Sequence, residues 1–197
     1  MASLATLIPL VALDVPGAPE PVLNQAISMA AREFCRRTLV WQNHLSAFDV
    51  VADQHEYDLE PELDDNDAVA EIVTIVRVRL QDPDLAAGRD YKMGHTGQLY
   101  LYRPPASAIT AGLKVTVALR PVLGSDYIDD LILSRYMEQL SYGVKSILMV
   151  QPKKTWSNVE LGVFYNSSFN RAVSELRFDL DRGLGTTGEL MVKQRVF

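Results

Sequence analysis

Cysteine is almost missing from this chain of 197 residues: Cys35 stands alone. No disulfide can form within one copy, and a reducing compartment is the matching environment. Cys35 lies on the apolar side of a predicted helix and is expected to be a buried, inert thiol. An excess of basic residues is missing too. Nineteen Lys and Arg against 25 Asp and Glu give a net charge of −6. That speaks against a nucleic-acid binder driven by phosphate contacts, which needs a basic face. It leaves open a protein that DNA slides past without sticking. No uninterrupted apolar run reaches the length of a membrane span. Residues 2–11 are apolar, but no basic residue precedes them and Pro9 interrupts them, so no signal peptide is expected. His44, His55 and His95 are scattered, with no H-x-x-x-H or Cys/His cluster, which excludes the usual zinc pattern. No G-x-S-x-G elbow, P-loop or dinucleotide fingerprint occurs. Gly183, Gly185 and Gly188 share only composition with a phosphate-binding loop and read as a hinge. No cofactor, metal site or catalytic residue is expected.

What is present is a chain rich enough in apolar residues (48%) to build a core. Pro16, Gly17, Pro19 and Pro21 lead into a predicted helix over about residues 20–39. Leu23, Ile27, Ala30 and Phe34 form its apolar stripe, with Glu20 in the first turn and Arg36 and Arg37 in the last. The middle of the chain changes to period two. Val76, Val78 and Leu80 alternate with Arg77 and Arg79. Leu113, Val115, Val117 and Leu119 alternate with Lys114, Thr116, Ala118 and Arg120. This predicts strands with one buried face. Gly94 and Gly97 mark a hairpin between Tyr91 and Leu99. Helices then return: Asp126 and Asp129 can cap one that runs to about Val150. Its face carries Ile132, Tyr136, Leu140, Gly143 and Ile147.

Pro152 ends that helix. Ser157 and Glu160 have the spacing of a capping box for the next. Leu161, Tyr165, Phe169, Ala172 and Leu176 then predict an apolar stripe to about Arg182, with Gly183 as the stop. The segment from Pro152 onward thus reads as a helix hairpin with an aromatic corner, in which Trp156 packs the corner or an interface.

The fold class is α+β: an antiparallel bundle of three main helices, an inserted small antiparallel β lobe and extended terminal arms. The divisions are an N-terminal arm at 1–15, a helical domain at 16–44 and 122–183, an inserted β domain at 45–121, and a C-terminal docking arm at 184–197. In that last arm Leu190, Val192, Arg195, Val196 and Phe197 make a short β-prone stretch. It is unstable alone in water and suited to docking on a neighbouring subunit. Trp156, Tyr165 and these five residues are the predicted interface positions.

Two other features bear on function. Asp58, Glu60, Glu62, Asp64, Asp65 and Asp67 form an acidic run without a basic residue. The glycine and final glutamate of an EF-hand are missing, so it reads as a solvated loop or as a surface that repels DNA. Glu33 and Glu138 are mid-helix carboxylates, and a pair assembled in space is the requirement for a glycoside hydrolase. A cell-wall hydrolase is therefore the alternative, and a cellular protein-binding module the third.

Pro152, Lys153, Trp156, Asn158, Leu161, Tyr165 and Phe169, with Tyr57 and Leu59 before a proline and the opening helix up to Phe34, carry a resemblance. In these residues the chain resembles the head-to-tail adaptor, or connector, proteins of tailed bacteriophages. The resemblance implies a structural virion protein of the neck, assembled in the host cytoplasm. It implies a ring of about twelve copies, closed by head-to-tail contacts, beneath the portal protein. Such a ring extends the DNA channel and carries tail or nozzle proteins and tail fibres. DNA passes through without sequence-specific binding, and no membrane is involved. The tail departs from adaptors that end in a very long helix.

Overall fold

The computed structural model describes residues 1–61, 63, 70–81, 83–94 and 97–182. The chain begins differently from the extended arm expected for residues 1–15. Strand β1 (Ala2–Ser3) is followed by a 3-10 turn (Leu4–Leu7) and helix α1 (Ile8–Ala12). Pro9 sits in the first turn of α1, where a missing N–H costs nothing. Leu4, Leu7, Val11 and Val15 are all buried. A helix of five residues has no stability of its own; the burial of these four side chains holds the segment in place.

Helix α2 (Glu20–Thr38) matches its sequence pattern, with Leu23, Ile27, Ala30 and Phe34 all in the core. It ends on Leu39 in the left-handed conformation (φ 56°), whose N–H bonds the Cys35 carbonyl at 2.9 Å. Cys35 is fully buried, and burial pushes its thiol up to about 12.

The strand region centres on β8 (Ile109–Pro121). Strands β2 (Gln42–His44) and β3 (Phe48–Val50) follow one another along one edge of β8, and β5 (Ala70–Leu80) runs along the other. All these pairings are antiparallel. Strand β5 shifts register twice, between Ile72 and Thr74 and between Ile75 and Arg77. The second shift breaks the alternation read from the sequence. Val76 is the extra residue and is exposed, while Ile75 and Val78 are buried. A second sheet has the order β4–β7–β6, from β4 (Glu56–Asp58), β6 (Tyr91–Met93) and β7 (Gln98–Leu101). Its β6–β7 hairpin is the one marked by Gly94 and Gly97, with the Gly94 N–H on the Gln98 carbonyl at 2.7 Å and Gly97 at φ 77°. Strand β9 (Tyr127–Ile128) returns to pair with β1.

Helix α3 (Asp130–Met149) starts on Asp129, whose carboxylate accepts the Leu131 and Ile132 N–H groups. Helix α4 (Val159–Asp181) follows. Its buried face is Gly162, Phe169, Val173 and Leu176, turned away from the stripe expected from Leu161, which is exposed. Helix α2 packs on α3, α4 and β8, so buried side chains from helices and strands make one continuous core. The fold is thus mixed α and β, with four α-helices and antiparallel sheets among the described residues.

Candidate functional site

The hairpin between α3 and α4 is built by close approach. A Cβ on Gly143 would lie 2.8 Å from Phe169 Cε2 and 3.2 Å from Ala30 Cβ. A Cβ on Gly162 would lie 2.8 Å from Val150 Cγ1. Bare glycine backbone at both points lets neighbouring elements come nearer than any side chain permits. Phe34 fills the space beside this contact, with its ring 5.5 Å from Tyr136 and 6.2 Å from Phe169.

The turn closes through backbone bonds. Asn158 N–H donates to Met149 O at 2.9 Å, and Ser157 N–H to Lys154 O at 3.1 Å. The cap of α4 is Asn158, whose side-chain oxygen accepts the Leu161 N–H at 3.1 Å. The Ser157–Glu160 capping box expected from sequence is therefore displaced by one residue. Asn is as strong an N-cap as Ser, and the bond from its own N–H back to α3 puts Asn158 at the helix entry.

Of the predicted interface residues, Trp156 and Tyr165 both lie on this hairpin and both are half-buried. Trp156 packs against the core, carries the Lys154 ammonium 5.8 Å from its ring, and leaves its buried Nε1 without a partner among the described residues. Tyr165 stacks on Tyr142 at 5.8 Å and meets Phe164 edge-on at 5.6 Å. Around them Val159, Val163 and Phe164 stay exposed, Phe164 to 61%. Leu190, Val192, Arg195, Val196 and Phe197 lie outside the described residues, as do His95, Gly183 and the acidic residues beyond Glu60, namely Glu62, Asp64, Asp65 and Asp67.

Sequence reasoning missed an ion pair beneath Tyr165. Lys145 is buried on α3, and its Nζ meets Asp14 Oδ2 at 2.6 Å and stands 5.2 Å from the Tyr165 ring. Its signal was a single charge inside the apolar stretch from Gly143 to Leu148. Such a charge is buried only when paired; here the partner arrives from the folded N-terminal segment.

The two carboxylates considered for hydrolysis are occupied separately. Glu33 takes a two-point ion pair from Arg36, at 2.7 and 2.9 Å, and the Arg36 hydrogen bond is the main reason its pKa lies below the ordinary carboxylate value. A general acid needs the opposite shift. Glu138 accepts the Tyr142 hydroxyl, which raises the pKa of that phenol. His44 is bonded to Thr116 and His55 to the Leu101 carbonyl. Among the described residues, no group of three or more His, Cys, Asp and Glu side chains could hold a metal ion, and no helix is long and apolar enough to cross a membrane.

The geometry is that of a packed corner edged by exposed apolar side chains. Comparison with known families supplies the context. The family model described as SU10 adaptor protein matches residues 2–189. The chain belongs to this family. It is a family of phage head-to-tail adaptors. Membership gives the chain a structural adaptor role and implies a place in the virion neck, in association with portal and tail proteins. The match spans every strand and helix described above. No curated protein matches the chain.

Proposed function

We propose that copies of this adaptor close into a ring of about twelve beneath the portal, prolonging the DNA channel and presenting a platform for tail proteins. The observation that carries the reading is the adaptor-family match over residues 2–189. In this reading α2, α3 and α4 act as an antiparallel bundle and a rigid wedge, with the β domain inserted at 45–121. Rigidity has a source in the Gly143–Phe169–Ala30 contact, because packed interiors transmit force rather than yield. Trp156 and Tyr165, with the exposed Val163 and Phe164 beside Tyr165, lie at protein contacts. Clustered exposed apolar side chains favour such use.

The C-terminal arm, residues 184–197, supplies the lock. Leu190, Val192, Val196 and Phe197 dock on the portal or on a neighbouring copy, with Arg195 offering a charged contact. Tail or nozzle proteins, and fibres, attach on the far side, and DNA passes through the lumen without sequence-specific binding.

Negative-stain microscopy of the purified protein mixed with its portal tests the ring. Rings seated on the portal are the expected result, and their absence removes the reading. A chain ending at residue 183 tests the arm. It should keep its circular dichroism spectrum and fail to join the portal stably; normal joining refutes the docking role.

A further inference from the structure

We infer that the outer face of the β2–β8–β5 sheet docks the acidic β4 strand of a second copy of this chain. The inference rests on the ring reading above and identifies a contact between neighbours in it.

Arg77 faces Thr116, Arg79 faces Lys114, and His44 faces Thr116 across the ladders of β8. Directly opposed residues of an antiparallel pair share a face. Arg77, Arg79 and Lys114 therefore stand together, with His44 at the margin, where its Nδ1 lies 2.9 Å from Thr116 Oγ1. The bulge between Ile75 and Arg77 turns Arg77 to this side. The surface is concave, with a volume of about 340 Å³. Asp84 is the carboxylate that meets it, 2.8 Å from Arg79 and 3.6 Å from Arg77. Lys114 has no ion pair or hydrogen bond with a described side chain. Among the described residues, positive charge is thus left over on this face, in a chain whose net charge is −6.

A complementary row lies elsewhere on the same molecule. Glu56, Asp58 and Glu60 are exposed at period two, while Tyr57 and Leu59 between them are buried. Strand β4 is an edge of its sheet, so the row can be approached from outside. None of the three carboxylates forms an ion pair with a described residue, and Asp58 accepts only the Gln98 amide, at 2.8 Å. The sequence continues with Glu62, Asp64, Asp65 and Asp67.

Among the described residues, no ion pair joins these two patches within one copy. The Leu59 carbonyl and the Ile72 side chain both flank Gly97, each 3.7 Å from where its Cβ would be. The Leu59 end of the acidic row thus sits near the start of β5, while Tyr57 in its middle packs on Phe48, with 6.4 Å between ring centroids. Arg77 and Arg79 are five and seven residues beyond Ile72 along that strand, roughly 15–23 Å from it at a strand's rise per residue. Two different, complementary patches on one chain, not paired with each other, are the requirement for a heterologous contact, which closes a ring when the rotation permits. A DNA duplex is the competing occupant. Three fixed cations partly covered by Asp84 make a small footprint for a phosphate backbone, and the acidic row has no place in that alternative.

Paired charge reversals test the contact. One variant is Arg77→Glu with Lys114→Glu; the other is Glu56→Lys with Glu60→Lys, which leaves the Asp58–Gln98 bond and the Arg79–Asp84 pair intact. Each is mixed with the portal, and rings are counted by negative stain, with thermal melts confirming the fold. Each variant alone should lose rings by about tenfold or more, since it places like charges face to face. An equal mixture of the two should recover them, because the reversed faces can alternate around an even ring. A folded variant that assembles alone as wild type does, or a mixture of folded variants that stays unassembled, overturns the inference. So does a first variant that keeps its rings but loses binding to a short DNA duplex, which would assign the face to DNA. Should wild type itself form no rings on the portal, the ring reading fails and this contact with it. Wild-type rings alongside indifferent variants sink this contact alone.

Discussion

The α3–α4 hairpin and the β2–β8–β5 sheet solve opposite problems. In the hairpin, the informative residues face inward: Gly143 against Phe169, Gly162 against Val150, and Lys145 on Asp14. In the sheet, one face is an ordinary apolar layer of Val78, Leu113, Val115 and Val117, and the informative residues face outward as a row of charge. Substitutions in the hairpin should therefore register as lost stability. Those on the outer face of the sheet should leave the fold alone and register only when copies meet.

The largest effect expected is from Phe34→Ala, which empties the space between Tyr136 and Phe169 and should lower unfolding free energy by about 3–5 kcal/mol, read by urea denaturation. Next comes Asp14→Asn. It strands the buried Lys145 ammonium and should cost about 2 kcal/mol, the half-exposed position of Asp14 tempering the full penalty of a broken buried pair. Adding Lys145→Met should return much of that loss, because the uncompensated charge goes with it. Gly143→Ala should destabilise by about 1–2 kcal/mol. The overpacking against Phe169 and Ala30 outweighs the helix propensity that alanine brings. Asn158→Ala should cost about 1 kcal/mol, whereas Ser157→Ala should be nearly silent; a reversed order would restore the capping box expected from sequence. Smallest of all is Arg79→Gln on the sheet, where loss of the exposed pair with Asp84 should shift stability by less than about 0.5 kcal/mol. A sheet-face loss as large as the hairpin losses would break the contrast.

Much of the architecture was legible in the chain. The α2 stripe, the Asp129 cap of α3 and the glycines of the β6–β7 hairpin are local signals, and each element formed where its own residues placed it. The misreadings share a cause. The N-terminal segment looked like an arm because five residues of helix carry no detectable period, and only burial against the core reveals their fold. The expected α4 stripe runs through Leu161, although Gly162 is the residue that touches α3; a glycine contributes nothing to an apolar pattern. A strict period of two turns Val76 inward, because a bulge is invisible to it. In the candidate site, Trp156 and Tyr165 were legible as aromatic residues at a corner. Asn158 gives no stronger capping signal than the serine beside it, and the pairing of Lys145 gives none because its partner lies far away in sequence.

By itself, then, the order of residues determined the helix stripes and the strand alternation, since these depend on neighbours within a few positions, and the composition set the scarcity of basic charge. Which backbone surfaces touch, which charge is buried and which cations share a face were decided only in three dimensions. Those outcomes depend on pairs far apart along the chain, such as Asp14 with Lys145 and Arg79 with Lys114. No local pattern encodes the distance between them.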